Sequence, residues 1–401
     1  MELSFRLIKI TALCWLGATV LGCLPYIISG EIPNIINAFF ESASGFSATG
    51  ATVLGDIENH SKGILLWRSL TQWLGGIGFL VSMAILSQTR DKPSGASIPV
   101  KAVITLYVLF TCLEVILLLF GGLTFFESAT HAFSTVSTGG FSLYSASAAH
   151  YNSLYIDAVF VLFMLVSAIS FNLYYRLIRR RPAGFRAVSV DPEFKFFIAI
   201  LLAAVTLISA NLILSGTFNS AAGAIRYSTF QSVSILTTTG YLKSDISSWP
   251  LFSAMILFSL MIIGSCGSSP GGGLKVIRIL TLLKLIGRGI IVRQQPNAVV
   301  PIKFALRTIS ADAASRVAGA FFLYISLVAA GSVLISIDNA GLTRSVSAVI
   351  SALGNIGPMF CENGASLDYS GFSYHSKLLL SLLMLAGKLF FSYGTGKINA
   401  S

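Results

Sequence analysis

The chain has 401 residues, 54% of them hydrophobic and 11% charged, with a formal net charge of +11 and a mean hydropathy of +0.80. A soluble domain carries about 25% charged residues, so a soluble globular protein is excluded. The apolar stretches instead run to about 18–25 residues, the length that crosses roughly 30 Å of hydrocarbon as a helix; the strict alternation of about 10-residue barrel strands is absent.

The basic residues are unevenly placed. Arg6 and Lys9 begin the chain, and the others gather in three connections: Arg90, Lys92 and Lys101; Arg176, Arg179, Arg180, Arg181 and Arg186; and Lys275, Arg278, Lys284, Arg288, Arg293 and Lys303. The intervening connections 55–62 and 242–249 hold one lysine each. Such asymmetry orients a membrane protein, with the N-terminus and basic loops in the cytoplasm and Asp56, His150, Lys243 and Glu362 on the other side. It explains the net charge without a nucleic-acid partner. The five cysteines (Cys14, Cys23, Cys112, Cys266, Cys361) form no paired spacing, hence neither a disulfide framework nor a zinc site. The first apolar segment, 7–28, is too long for a signal-peptide core and lacks a small-residue cleavage site, so it reads as a membrane helix.

In chain order the elements repeat four times. Spans at 7–28 and 64–86 enclose NAFFESASGFSATGAT (37–52); spans at 102–122 and 156–177 enclose SATHAFSTVSTGGFS (128–142). Phe194 opens the next span, 194–214, which with a long apolar stretch 251–291 encloses STFQSVSILTTTGYLK (228–243). Spans at 317–337 and 378–391 enclose SVSAVISALGNIGPMF (345–360). The units are 1–90, 91–187, 188–303 and 304–401. The four short segments are too polar to cross, and non-helical backbone at membrane depth is tolerated only in protein or beside water. The predicted fold is an all-α integral membrane protein of four tandem helix–pore-loop–helix units in pseudo-fourfold arrangement around one pore, with lipid against the spans.

Backbone carbonyls can replace an ion's water shell without fixed charge, and glycine adopts the dihedrals that aim them. Aligned on one glycine each, the candidate ion-binding positions are Ala48-Thr49-Gly50, Ser137-Thr138-Gly139, Thr238-Thr239-Gly240 and Asn355-Ile356-Gly357, with Gly140 and Gly354 as second choices. One such segment could be mere close helix packing by small residues; four in register, each between apolar helices, point to a filter.

The tips SGFSATGATV, HAFSTVSTGGFS, LTTTGY and GNIGP, with RSLTQWLGGIGF (68–79) and SSPGGGLKVIRIL (268–280), resemble the Trk/Ktr/HKT superfamily of potassium transporters, nearest its bacterial Trk membrane subunits, from Leu7 to about Gly387. The resemblance implies potassium uptake through a gated, channel-like pore in the inner membrane. It assigns the filter to Gly50, Gly139, Gly240 and Gly357, potassium as the transported ion, no cofactor held by this chain and no enzymatic activity. It also implies a homodimer bound by a cytoplasmic nucleotide-binding regulatory subunit.

The stretch 251–291 is about twice a bilayer in length at 1.5 Å per residue, and GSCGSSPGGGLK (264–275) interrupts it. The rival reading, a phosphate-binding loop, lacks the GxxxxGK[ST] spacing and a preceding strand. In the family the interruption is an intramembrane gate, here Gly264, Ser265, Cys266, Gly267, Ser268, Ser269, Pro270, Gly271, Gly272 and Gly273, faced by a basic residue of the last helix whose matching position is Lys388. Two familiar features differ: the extra pair of leading helices found in many bacterial Trk subunits is absent ahead of the first unit, and the last helix reads Gly387-Lys388-Leu389-Phe390 before a polar tail. Two other readings stay open, a sodium-coupled symporter built on broken helices and a non-conducting truncated paralogue.

Among the remaining charges, Glu114 lies mid-span, either functional or a structural glutamate. Glu41 and Glu127 are expected to enrich cations at the mouth. Arg226 and Arg344 are expected at the surface, and Arg68 as an interfacial anchor.

Overall fold

The computed structural model describes residues 2–90, 98–179, 188–298, 300–304, 307–361 and 364–391. Lys92, Arg180, Arg181, Arg186, Glu362 and the polar tail 392–401 lie outside the described residues.

Each unit has a leading helix, a short helix and a trailing helix. In the first these are Glu2–Gly22 (continued by Leu24–Ile28), Ile35–Ser47 and Lys62–Arg90; in the second Val100–Phe120, Phe125–Val136 and the pair Leu154–Ala168 and Phe171–Arg179. In the third they are Pro192–Leu214, Ala221–Leu236 and the pair Leu251–Ile263 and Val276–Gln294. The fourth has Ala311–Ile335, Leu342–Gly354 and Tyr374–Ala386, which runs on into a π-helical turn, Gly387–Phe391. The described residues also form two small antiparallel hairpins, Ile302–Phe304 with Arg307–Ile309 and Met359–Cys361 with Gly364–Ser366.

The helix starts follow local chemistry. Asn34 accepts from the N–H groups of Ile36 and Asn37, and Thr124 with Glu127 forms a capping box, satisfying orphan donors of the first turn. Ser373 caps Ser376, so the last helix begins at Tyr374, before the apolar residues at 378.

The order of contacts closes a circle. The second short helix packs on the first trailing helix, the third on Leu154–Ala168, the fourth on Leu251–Ile263 and the first on Tyr374–Ala386. Leading helices lie outside: their apolar windows are 17–33% buried against 56% for Lys62–Gln88. Leu109, Leu202 and Phe322 are exposed on them, an apolar surface suited to lipid. Among the described residues, five helices are long and apolar enough to cross a membrane, six if the bent pair is one span.

That bent pair departs from expectation. The span predicted at 156–177 breaks after Ala168 and turns by 86° at Phe171. No Gly or Pro stands there. The cause is a neighbour: Ala168 carbonyl accepts from Cys266 N–H (3.1 Å) and Phe171 N–H donates to Ser268 carbonyl (3.1 Å), so backbone groups that a continuous helix would pair are paired by the interruption 264–275.

Candidate functional site

All four short helices end in the same turn. The N–H of Thr49, Gly139, Thr239 and Ile356 donates to the carbonyl of Ser44, Ser134, Ser234 and Ser351 at 2.9, 2.7, 3.0 and 3.0 Å. Before each donor stands a left-handed residue, Ala48 (φ 53°), Thr138 (56°), Thr238 (61°) or Asn355 (50°). This is a Schellman termination, which consumes orphan helix carbonyls. After each donor comes a glycine at positive φ: Gly50 (88°), Gly140 (73°), Gly240 (82°) and Gly357 (105°).

The register corrects the sequence alignment in the second unit. Gly140, not Gly139, is the equivalent of Gly50, Gly240 and Gly357, and Gly139 takes the place of Thr49, Thr239 and Ile356. Ser137 therefore sits one position before the left-handed Thr138. Gly354 is the last residue of its helix, outside the left-handed region.

The four glycines close a ring. A Cβ added to Gly50 would fall on the Gly139 carbonyl oxygen, one on Gly140 on that of Thr239, one on Gly240 on that of Ile356, and one on Gly357 on that of Thr49. Each tip thus presses a bare Cα against a carbonyl of the next, in chain order, with the fourth returning to the first. Asn355 reinforces that last junction, its Nδ2 donating to Thr49 Oγ1 (3.0 Å) and to the Met384 carbonyl (2.8 Å). Thr49, Thr138, Thr238, Thr239 and Asn355 are fully buried.

Behind the ring, the chain leaving each tip is braced at the same position in three units. Val53 N–H donates to Glu41 Oε2 (2.9 Å), Lys243 N–H to Gln231 Oε1 (3.3 Å) and Phe360 N–H to Ser347 Oγ (2.9 Å). In the second unit the side chain matching Glu41 and Gln231 is His131, which pairs with the Tyr151 hydroxyl (3.0 Å). Support comes there from the first trailing helix: Gln72 Nε2 donates to the Gly139 carbonyl (2.7 Å) and Gln72 Oε1 accepts from Phe141 N–H (3.2 Å).

Arg68 is not an interfacial anchor. It is buried, with Nε on Glu41 Oε1 (2.7 Å), Nη2 on Thr52 Oγ1 (3.1 Å), Nη1 on the Ser142 carbonyl (3.4 Å) and its guanidinium 4.1 Å from the Phe141 ring centroid. Glu41 is spent in that pair, not offered to ions at a mouth. Arg226 likewise is bound, to Asp157 (2.5 Å), which also pairs with the buried Lys243 (2.7 Å). Arg344 lies over the Phe372 ring (4.6 Å). Glu114 is fully buried, and neither carboxyl oxygen has a hydrogen-bond partner among the described residues. Glu127 is half-buried at the start of its helix; burial works to raise its carboxyl, but the hydroxyl and N–H of Thr124 and the Tyr144 hydroxyl outweigh it and hold the group below its ordinary value.

The interruption 264–275 lies against the ring. Its N–H at Gly272 donates to Thr238 Oγ1 (2.7 Å), and a Cβ at Gly272 would strike the Gly354 carbonyl. Lys388, fully buried, donates to the Pro270 carbonyl (2.5 Å). Lys275 Nζ donates to Ser265 Oγ (3.1 Å), the Ser269 carbonyl (3.4 Å) and the Gly271 carbonyl. On the far side Glu193 Oε1 accepts from Gly267 N–H (2.5 Å), and Asn172 Nδ2 donates to Ser268 Oγ (3.3 Å). Gly264, Ser268, Gly273 and Lys275 all have positive φ, 77°, 59°, 77° and 74°.

The sequence model of the TrkH family, described as a cation transport protein, matches residues 7–98 and 94–392. The Trk system potassium uptake protein TrkH of Salmonella typhimurium is 33% identical over 405 residues, covering 95% of this chain and 82% of that protein. The Trk system potassium uptake protein TrkG of Escherichia coli K12 is 26% identical, covering 95% of this chain and 81% of that protein. The crystal structure of the potassium transporter TrkH from Vibrio parahaemolyticus superposes with a TM-score of 0.88 at 31% identity, over 96% of this chain and 83% of that one. Matched over nearly its whole length in sequence and in fold, the chain belongs to the TrkH family of cation transport proteins.

Proposed function

We propose that this chain takes up potassium through a gated, channel-like pore, passively, down the ion's electrochemical gradient. The observation that carries it is the closed ring: four glycines at positive φ, each against the next tip's carbonyl, repeated once per unit. Carbonyl oxygens in such a ring replace the water shell of a monovalent cation, and a side chain at any of the four glycines would be both strained and in collision. The filter comprises Ala48-Thr49-Gly50, Thr138-Gly139-Gly140, Thr238-Thr239-Gly240 and Asn355-Ile356-Gly357.

The segment Gly264, Ser265, Cys266, Gly267, Ser268, Ser269, Pro270, Gly271, Gly272 and Gly273 is the gate in this reading. Its contacts with Thr238 and Lys388 support that role, because a segment beside the ring would obstruct an ion path unless drawn aside. The charge asymmetry of the loops supports a cytoplasmic N-terminus and gate side, in an inner membrane. Two such chains would form a homodimer, with a cytoplasmic nucleotide-binding subunit acting through Val276–Gln294, the helix continuous with the loop.

Rubidium uptake by the purified protein in proteoliposomes, driven by an inward gradient with and without sodium, tests this. Uptake that needs only the gradient and discriminates against sodium is the expected result. An absolute sodium requirement would favour the symporter, for which the broken helix Leu251–Ile263/Val276–Gln294 is the supporting observation. No flux from folded protein, alone or with its cytoplasmic partner, would favour a non-conducting paralogue.

A further inference from the structure

The second tip is held unlike the others, and Gln72 is the reason. Three tips are braced by a side chain of their own short helix; the second takes its brace from the first unit. Gln72 grips it on both sides of Gly140, through the Gly139 carbonyl (2.7 Å) and the Phe141 N–H (3.2 Å), while Arg68, one turn earlier, reaches the Ser142 carbonyl (3.4 Å). Gln72 and Arg68 are both buried, so neither bond competes with bulk water.

Gly139 is small for a reason different from Gly140's. Gly140 needs its positive φ; Gly139 is outside that region and stands where the other tips carry Thr49, Thr239 and Ile356. What a Cβ at Gly139 would meet is Gln72 alone among its three nearest atoms, at 2.5 Å from Oε1 and 2.7 Å from Nε2. The Gly139 carbonyl in turn abuts Gly50 in the ring.

We infer that Gln72 is a positioning residue for ion discrimination: it fixes the Gly139 carbonyl within the ring from outside the second unit, and Gly139 lacks a side chain to admit it. The inference rests on reading the ring as the filter. It makes Gln72 and Gly139 a matched pair: position 139 admits a side chain only where Gln72 is shortened. A second tip of Thr-Thr-Gly, the sequence of the third at 238–240, is compatible with the fold once Gln72 is shortened.

The test is rubidium uptake with sodium competition in proteoliposomes of the full chain, with thermal stability measured on the same preparations. Gln72→Met, which keeps length and volume but neither hydrogen bond, should lower rubidium-over-sodium discrimination several-fold with rubidium uptake retained. Gly139→Thr should do worse, since it adds a collision to the loss of both bonds, and Gln72→Ala/Gly139→Thr, which relieves the collision without restoring the bonds, should recover discrimination to the level of Gln72→Met. Gly140→Ser tests the ring itself. If Gly140→Ser destroys discrimination while Gln72→Met leaves it intact, the inference fails and the ring stands; if neither changes it, the ring reading fails first. A double variant no better than Gly139→Thr, or a Gln72→Met loss of uptake for all ions in parallel with stability, would also overturn the pairing.

Discussion

Two stretches of non-helical backbone meet near the centre of this molecule, and they are held in opposite ways. The four tips share one repeated set of bonds: a serine carbonyl five residues back, a left-handed residue, a glycine, and in three of four units a brace to the departing chain from the same short helix. The loop 264–275 has no repeated counterpart among the described residues. Its polar groups are met by Glu193, by the break at Ala168 and Phe171, by Thr238 and by Lys388, contributed from three units. Backbone braced within its own unit stays put when neighbours move. Backbone that borrows its partners from several directions is fixed only while all of them stay in place, which is the character of a switchable segment.

The sharpest way to break this contrast is to remove the loop. Deleting residues 266–272 should raise potassium flux several-fold and weaken its dependence on the proposed cytoplasmic partner, with discrimination against sodium nearly unchanged, as read by rubidium and sodium uptake. If discrimination collapses in normally folded protein, the loop braces the tips and the two regions are one structure. Next in size is serine at the ring glycines. Gly50→Ser, Gly140→Ser, Gly240→Ser or Gly357→Ser should each erode potassium-over-sodium discrimination, since each adds a side chain at positive φ against a neighbouring carbonyl. Gly354→Ala should be mild, because its Cβ would meet chiefly the far end of the Ile356 side chain. Equal losses at all five would mean that packing, not ring geometry, is being disturbed.

The contrast also marks what a sequence can disclose. Gly50 and Gly240 were legible because each is a single glycine directly after a threonine, Gly357 because the register of the repeat sets it apart from Gly354, and the interruption at 264–275 because glycine and proline crowd there. Gly140 was not: in Ser-Thr-Gly-Gly either glycine can bear the positive φ, and what excludes a side chain at Gly139 is Gln72, sixty-seven positions away in sequence. The break after Ala168 carries no signature, because its cause is hydrogen bonding by Cys266 and Ser268. Arg68 looked like an anchor at a span's edge because its partner Glu41 belongs to another element. Local rules find backbone made unusual by its own residues; they miss backbone made unusual by a neighbour.

Arg68 sharpens the comparison from the side of the tips. Its ion pair with Glu41 is fully buried and joins the exits of the first and second tips. Removing one partner of a buried pair strands the other charge, at a cost of roughly 3–5 kcal/mol. Arg68→Ala should therefore lower thermal stability in detergent far more than Lys388→Met, whose target is the loop. Arg68→Lys should recover little, a lysine being unable to serve Glu41, Thr52 and Ser142 at once from a planar fork. Comparable stability losses for Arg68→Ala and Lys388→Met would erase the distinction between a fixed ring and a movable loop.

The smallest effect is expected at the far end of a short helix. Thr124 and Glu127 cap the second one, whose length of about 18 Å at 1.5 Å per residue separates them from the tip. Thr124→Ala should cost about 1 kcal/mol of stability and leave discrimination unchanged. The pH dependence has a definite sign. Although burial pulls the Glu127 carboxyl upward, hydrogen bonds from Thr124 and Tyr144 hold it below its ordinary value of 4.5. A group lowered on folding contributes stability that is complete above its unfolded value and is lost as pH falls through the folded one. The stability difference between the native protein and Glu127→Gln should therefore be flat from neutral pH down to about 5 and shrink below about 4.5. Thermal denaturation of both proteins across that range measures it. A difference that grows on acidification, or a change in rubidium-over-sodium discrimination with Thr124→Ala, would mean that the outer end of the helix communicates with the ring, and that the tips are less self-contained than their repeated bonds imply.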